Sequence, residues 1–117
     1  MIEAKGLQTN AIVVHIRSAE AEEFERLFAD EELPVWRELH GDGALLSASL
    51  TRVAYGSEVA EGVQDYVIVA VFKAMRGHSR HDDHPEFKAF LAKARLFQPA
   101  GPYVWGGTTL HAMPERS

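Results

Sequence analysis

Cysteine is absent from this 117-residue sequence. That excludes a disulfide framework, a thiolate nucleophile and thiolate metal ligation, and nothing demands an oxidising compartment. Positive charge is scarce: 12 Lys and Arg stand against 17 Asp and Glu, a net charge of −5. Nucleic acids and anionic membranes both select basic patches, so neither is an expected partner. Long apolar runs are missing as well, for AIVVHIR and DYVIVAVFK fall far short of the roughly 20 residues of a membrane span. The opening MIEAKGLQTN lacks the apolar segment of a secretory signal, and Ala11 to Ile16 is too short to be one. The expected location is cytoplasmic. What is present is ordinary globular material, 46% hydrophobic and 25% charged, enough for one domain with a modest core.

Residues 1–10 read as a polar lead-in, residues 11–112 as the domain and residues 113–117 as a tail. Ala11 to Arg17 is rich in β-branched residues and predicts a strand. Its alternation sets Ile12, Val14 and Ile16 on one face and Val13, His15 and Arg17 on the other. Ser18 caps the helix expected next, with Glu20, Glu22 and Glu23 against its positive end. Ala21, Phe24, Leu27 and Phe28 give that helix a buried stripe. Pro34 interrupts it within DEELPVWREL, and a second piece carries Trp36 and Leu39 to a stop near Gly41. A strand over Ala44 to Tyr55 sets Leu46, Ala48 and Leu50 opposite the hydroxyl face Ser47, Ser49 and Thr51. Asp65 to Lys73 is apolar on both sides, the mark of a central strand. In GHSRHDDHPEF, Asp83 and Glu86 form a capping box with Pro85 in the first turn. Phe87, Phe90, Leu91 and Ala94 then stripe a second helix, and Tyr103 to Leu110 is a final strand in which Gly106 and Gly107 mark a bulge or a close backbone approach.

The order strand, helix, strand, strand, helix, strand predicts an α+β, ferredoxin-like fold: a four-stranded antiparallel sheet with both helices on one face. The other face carries valines and aromatics, and burial is worth roughly 25 cal/mol per Å² of apolar area. The economical cover is a second copy, giving a homodimer. On this element order, on DEELPVWREL leading into a glycine and the second strand, and on HDDHPEFKAFLA leading the second helix, the chain resembles the dimeric α+β-barrel superfamily. That group includes antibiotic-biosynthesis-monooxygenase-like and stress-responsive A/B-barrel proteins. The resemblance implies a small-molecule cavity and a histidine near the second helix that lines it, without saying which histidine. It also implies cofactor-free oxygenation, cyclisation or isomerisation of an apolar, aromatic or polyketide-like molecule. Some members of the superfamily break down haem through a helix-borne histidine and a strand asparagine, but Asn10 is read here as lying just before the first strand.

Candidate catalytic residues are His78, His81 and His84, which can move a proton near neutral pH, with His15 on the strand face expected to enter the cavity. Arg17 on that face suits an anion. Ser49 offers a hydroxyl, and Tyr66, Phe72, Trp36 and Trp105 offer flat apolar surface to a ligand. A metal at His81 and His84 is not expected, because Pro85 pushes His84 out of helical geometry and no further ligands complete a set. The competing reading is a non-catalytic dimeric module whose open face is only an interface.

Overall fold

The computed structural model describes residues 6–57 and 59–113; the tail beyond Met113 and the first five residues of the lead-in lie outside them. The first strand, β1, spans Gln8–Arg17 and so begins before Ala11. It is followed by α1 (Ala21–Leu27), α2 (Leu33–Gly41), β2 (Leu45–Arg52), β3 (Val63–Phe72), α3 (Met75–Asp83), α4 (Pro85–Ala94) and β4 (Tyr103–Thr108). The sheet order is β2-β3-β1-β4, with every pair antiparallel. This is the expected ferredoxin-like arrangement.

Strand parity governs the two faces. Val14 and Ile16 of β1 and Tyr66, Ala70 and Phe72 of β3 are buried beneath the helices, against Phe24, Phe28, Val35, Leu39 and Phe90. In β2 the pairing slips at Leu46, so that Leu45 and Ala48 stand on the helix side while Ser47 and Ser49 point outward. A single extra residue explains why Leu45, rather than Leu46, joins the core.

Two local readings are corrected. Ser18 makes no side-chain cap; it begins a short 3₁₀ turn. DEELPVWREL does not split into two pieces either. The chain stays helical through Phe28–Glu32 as a π-helical turn before α2. Pro34 has no N–H to offer the carbonyl four residues back, at Asp30, which lies inside that wide turn. Gly43 then adopts φ +81° after α2, the left-handed conformation that glycine takes most easily at a helix end.

Candidate functional site

The stretch holding three histidines is itself a helix. Met75–Asp83 forms α3, and Gly77 lets it lie close on the sheet: a Cβ at that position would stand 3.0 Å from the Ala44 carbonyl oxygen and 3.2 Å from the Phe72 ring. Close seating of α3 turns His78 and His81 inward, three residues apart on one helix face. The histidine after the helix has a different task. Asp83 does not cap α4; His84 does, its Nδ1 accepting from the Glu86 backbone N–H at 3.1 Å, with Pro85 in the first turn. The Nε2 of His84 meets Glu38 at 2.6 Å. Both of its ring nitrogens are therefore engaged in holding the α3–α4 corner.

Between the sheet and the helices lies a cavity of about 920 Å³. Its floor is the helix-facing side of the sheet, including Ile12, Ile68, Ala70 and Phe72; its roof is Trp36, Phe87, Phe90, Leu91 and Ala94. No helix covers β4, all six residues of which are exposed, so the space stays accessible along that edge. Arg95 and Gln98 lie on the rim with Val104 and Trp105. At one end Glu32, His78, His81 and Asp82 form a connected polar group, and Gln8 and Asn10 of β1 also line the cavity.

His81 sits at the centre of that end. Its Nε2 is 2.9 Å from Glu32 Oε2 and its Nδ1 is 3.1 Å from Asp82 Oδ1. The ring stacks at 4.2 Å from Phe87. Burial works against a charged ring here, but the Glu32 and Asp82 acceptors outweigh it and raise the His81 pKa above its ordinary value. Burial raises the Glu32 pKa as well, with His81 pulling the other way. Both shifts have one meaning: the pair holds protons more tightly than free side chains do. His78 stands beside it, Nε2 3.1 Å from Asp82 Oδ2.

Two buried polar atoms of cavity-lining residues have no hydrogen-bond partner among the described residues: Asn10 Nδ2 and Glu32 Oε1. Glu32 is only 4% exposed. Among the described residues no group of three or more His, Asp and Glu side chains is arranged to hold a metal ion.

Placement separates the residues expected from sequence. His78, His81, Trp36 and Phe72 line the cavity; Trp105 borders it only along the β4 edge, since its pairing with Ala11 puts its side chain on the opposite face. His15 and Arg17 do not, because the enclosed space lies under the helices and these two residues point to the opposite, uncovered face. His15 bonds Asp65 at 2.8 Å and meets the edge of Tyr103; Arg17 donates to the Leu96 carbonyl at 2.9 Å. Ser49 is exposed on that same outer face. Tyr66 is a core residue whose hydroxyl bonds Glu25, a carboxylate that Arg52 also grips. Asn10 lies within β1, not before it.

Glu32, Asn10, Gln8 and Arg95 were not singled out as cavity residues from sequence. For Asn10 a signal existed. Gly106 pairs with it, and a Cβ at Gly106 would collide with the Asn10 amide. The close neighbour is thus a side chain at Gly106 and not the backbone expected at both glycines, for nothing lies within 4 Å of a Cβ at Gly107. Glu32 had no such signal. In an unbroken helix of 3.6 residues per turn Glu31 would fall nearer the line through Phe24 and Phe28; the π turn brings Glu32 on to it and leaves Glu31 outside, bonded to Lys93 at 2.8 Å.

No family model matches the sequence, and no curated protein does. Solved structures match its fold. A protein of Caulobacter crescentus CB15 named as a candidate antibiotic biosynthesis monooxygenase is 21% identical, with 93% of this chain and 94% of that one covered and a TM-score of 0.73. SnoaB, a cofactor-independent oxygenase of Streptomyces nogalater, is 17% identical, with 94% and 99% covered and a TM-score of 0.67. A dimeric ferredoxin-like protein of unknown function from Thermobifida fusca is 17% identical, with 93% and 100% covered and a TM-score of 0.62. The chain shares the ferredoxin-like fold of these proteins. No helix among the described residues is long and apolar enough to cross a membrane.

Proposed function

We propose that this protein binds a planar, mostly apolar small molecule between sheet and helices and acts on it without a resident cofactor, as an oxygenase, cyclase or isomerase. The observation that carries this reading is the cavity itself, whose walls are mostly apolar, with a polar group around His81 and further polar side chains, Arg95 and Gln98, at the rim. Such a space orients a flat ligand by its polar edge and keeps water from the rest. Oxygenation, ring closure and isomerisation share a first step: a proton leaves the ligand and a delocalised anion remains. They differ in what that anion meets next. The likeness to a cofactor-independent oxygenase supports the first of the three.

The working unit is a homodimer. Val13, Val67, Val69 and Val71 form an apolar field on the face away from the helices, bordered by Tyr103 and Trp105, each more than half exposed. A two-fold copy of the same sheet covers that field with an identical one. The dimeric ferredoxin-like protein of the same fold supports this arrangement.

Haem degradation is a second reading, favoured by Asn10 lying inside β1 and facing the same cavity as His78 and His81. The residues present do not fit it. Both ring nitrogens of His81 are held by carboxylates, and His78 Nε2 is paired with Asp82. No imidazole of the pair offers Nε2 free to ligate iron.

One titration tests both readings. 2-Naphthol should quench the fluorescence of Trp36 saturably, whereas haemin should give no histidine-ligated Soret band. Absence of saturable quenching would remove the ligand-binding reading. A Soret band that vanishes on His78→Ala or His81→Ala would put haem in its place.

A further inference from the structure

Resting on that reading of the cavity, we infer that Glu32, and not a histidine, is the proton acceptor, and that the ligand it takes is an enolisable or phenolic carbonyl compound. In this arrangement the ligand gives a proton to Glu32 Oε1, and Asn10 Nδ2 donates to the oxygen on which negative charge settles.

His81 has nothing to accept a proton with, since both of its nitrogens face carboxylate oxygens and each is best satisfied as an N–H donor. Glu32 is the converse. His81 occupies Oε2, while Oε1 of this cavity-lining residue is buried and has no partner among the described residues. An unpaired acceptor shut off from water is costly, and such groups persist where a ligand completes them. A carboxylate in this setting is also a stronger base than one in water, because burial favours its protonated form.

Asn10 supplies the complementary atom. Its Nδ2 is a donor without an acceptor, on the same cavity. One buried acceptor and one buried donor, both unsatisfied among the described residues, ask for a ligand presenting an acidic hydrogen and an oxygen acceptor. A ketone with an acidic α-hydrogen, or a phenol next to a carbonyl, presents both. The aromatic wall of Phe72, Phe87 and Trp36 suits the flat remainder.

The step balances without any further reactant. A C–H or O–H bond of the ligand breaks, its proton bonds to Oε1, and the electron pair stays on the ligand as an enolate or phenolate. Imidazolium at His81 steadies the carboxylate before transfer, which makes His81 a positioning residue. The other titratable groups facing Glu32 are Asp82 on α3 and His84 at the corner. The strands contribute uncharged Gln8 and Asn10, and α4 is followed by Arg95 on the rim.

The test uses 2-tetralone, a flat enolisable ketone, in deuterium oxide without dioxygen. Deuterium entry at the α-carbon is followed by NMR, and binding by tryptophan quenching. The whole chain should speed exchange over buffer. Glu32→Gln keeps the shape and an oxygen for His81 but cannot take the proton. It should bind the ketone and lose about 10²-fold or more of the exchange rate, the usual contribution of a general base. His81→Asn should keep measurable exchange but move its half-maximal point to higher pH, since removing the imidazolium leaves burial unopposed at Glu32. A merely structural His81 would not move that midpoint. Exchange at the unaltered rate in Glu32→Gln overturns the assignment, as does binding by the unaltered protein without exchange. Failure of the unaltered protein to bind the ketone overturns the cavity reading, and this inference with it.

Discussion

Replacing His81 with alanine should lower stability by about 3–5 kcal/mol near pH 7, the usual result of removing one partner from a buried ion pair, and by much less near pH 4.5. The loss has two sources. Glu32, 4% exposed, is left with no partner for either oxygen. It can escape only by taking up a proton, and neutralising a carboxylate of ordinary pKa 4.5 at pH 7 costs about 3.4 kcal/mol at about 1.36 kcal/mol per unit. That sets a ceiling on the electrostatic share. The remainder is the imidazole's packing against Phe87 and Phe72, which does not depend on pH.

The unaltered protein should show the matching trend. The folded-state pKa of His81 is raised, so its stabilising contribution is complete below the ordinary value of 6.5 and is lost as pH rises through the folded value. Glu32, raised from 4.5, has the same sign: the folded state binds its proton more tightly, and stability falls as pH climbs past 4.5. Denaturant unfolding at a series of pH values measures both trends. Adding Glu32→Gln to His81→Ala should restore most of the loss at pH 7, since the stranded charge is gone. Equal losses at pH 4.5 and pH 7 would show that the pair contributes by shape alone.

Val69→Asp should convert the proposed homodimer to a monomer while leaving the fold intact. Val69 lies on the central strand β3, between Ala11 of β1 and Ser49 of β2, on the face away from the helices. In a two-fold pairing of these faces the substitution brings two carboxylates into one apolar contact. Desolvating each costs several kcal/mol, which weakens association by about 10³-fold or more. Sedimentation equilibrium across the micromolar range provides the measurement. If the unaltered chain sediments as a monomer, or the variant still pairs, the open face has some other cover and the dimer is wrong. Circular dichroism guards against simple unfolding, which an outward position on a paired strand does not predict.

Much of the molecule could be read before any coordinates. Alternation in AIVVHIR separates the helix-facing Val14 and Ile16 from His15 and Arg17, and the structure keeps that division. The apolar run DYVIVAVFK lies between two neighbours in the sheet, as a strand apolar on both faces should. Pro85 puts His84 in extended backbone at φ −66° and ψ 127°, where the residue before a proline belongs. The errors were of another kind. Parity distinguishes the two faces of β1 without saying which one is roofed, so it does not place His15 and Arg17 relative to the cavity. Asp83 lost the cap to His84 by a single residue, since α3 runs on through the histidines and ends where Pro85 begins the next helix.

By itself, then, the order of residues determined the four strands, the helical stretches after β1 and after Pro85, and, outside the slip in β2, which side chains of a strand share a face. Those depend on local periodicity and on prolines and glycines acting over a few neighbours. Only the tertiary structure decided where the hollow lies and that Glu32 faces it. That outcome depends on one wide helical turn and on residues 49 positions apart meeting at 2.9 Å, and no local pattern encodes such a meeting.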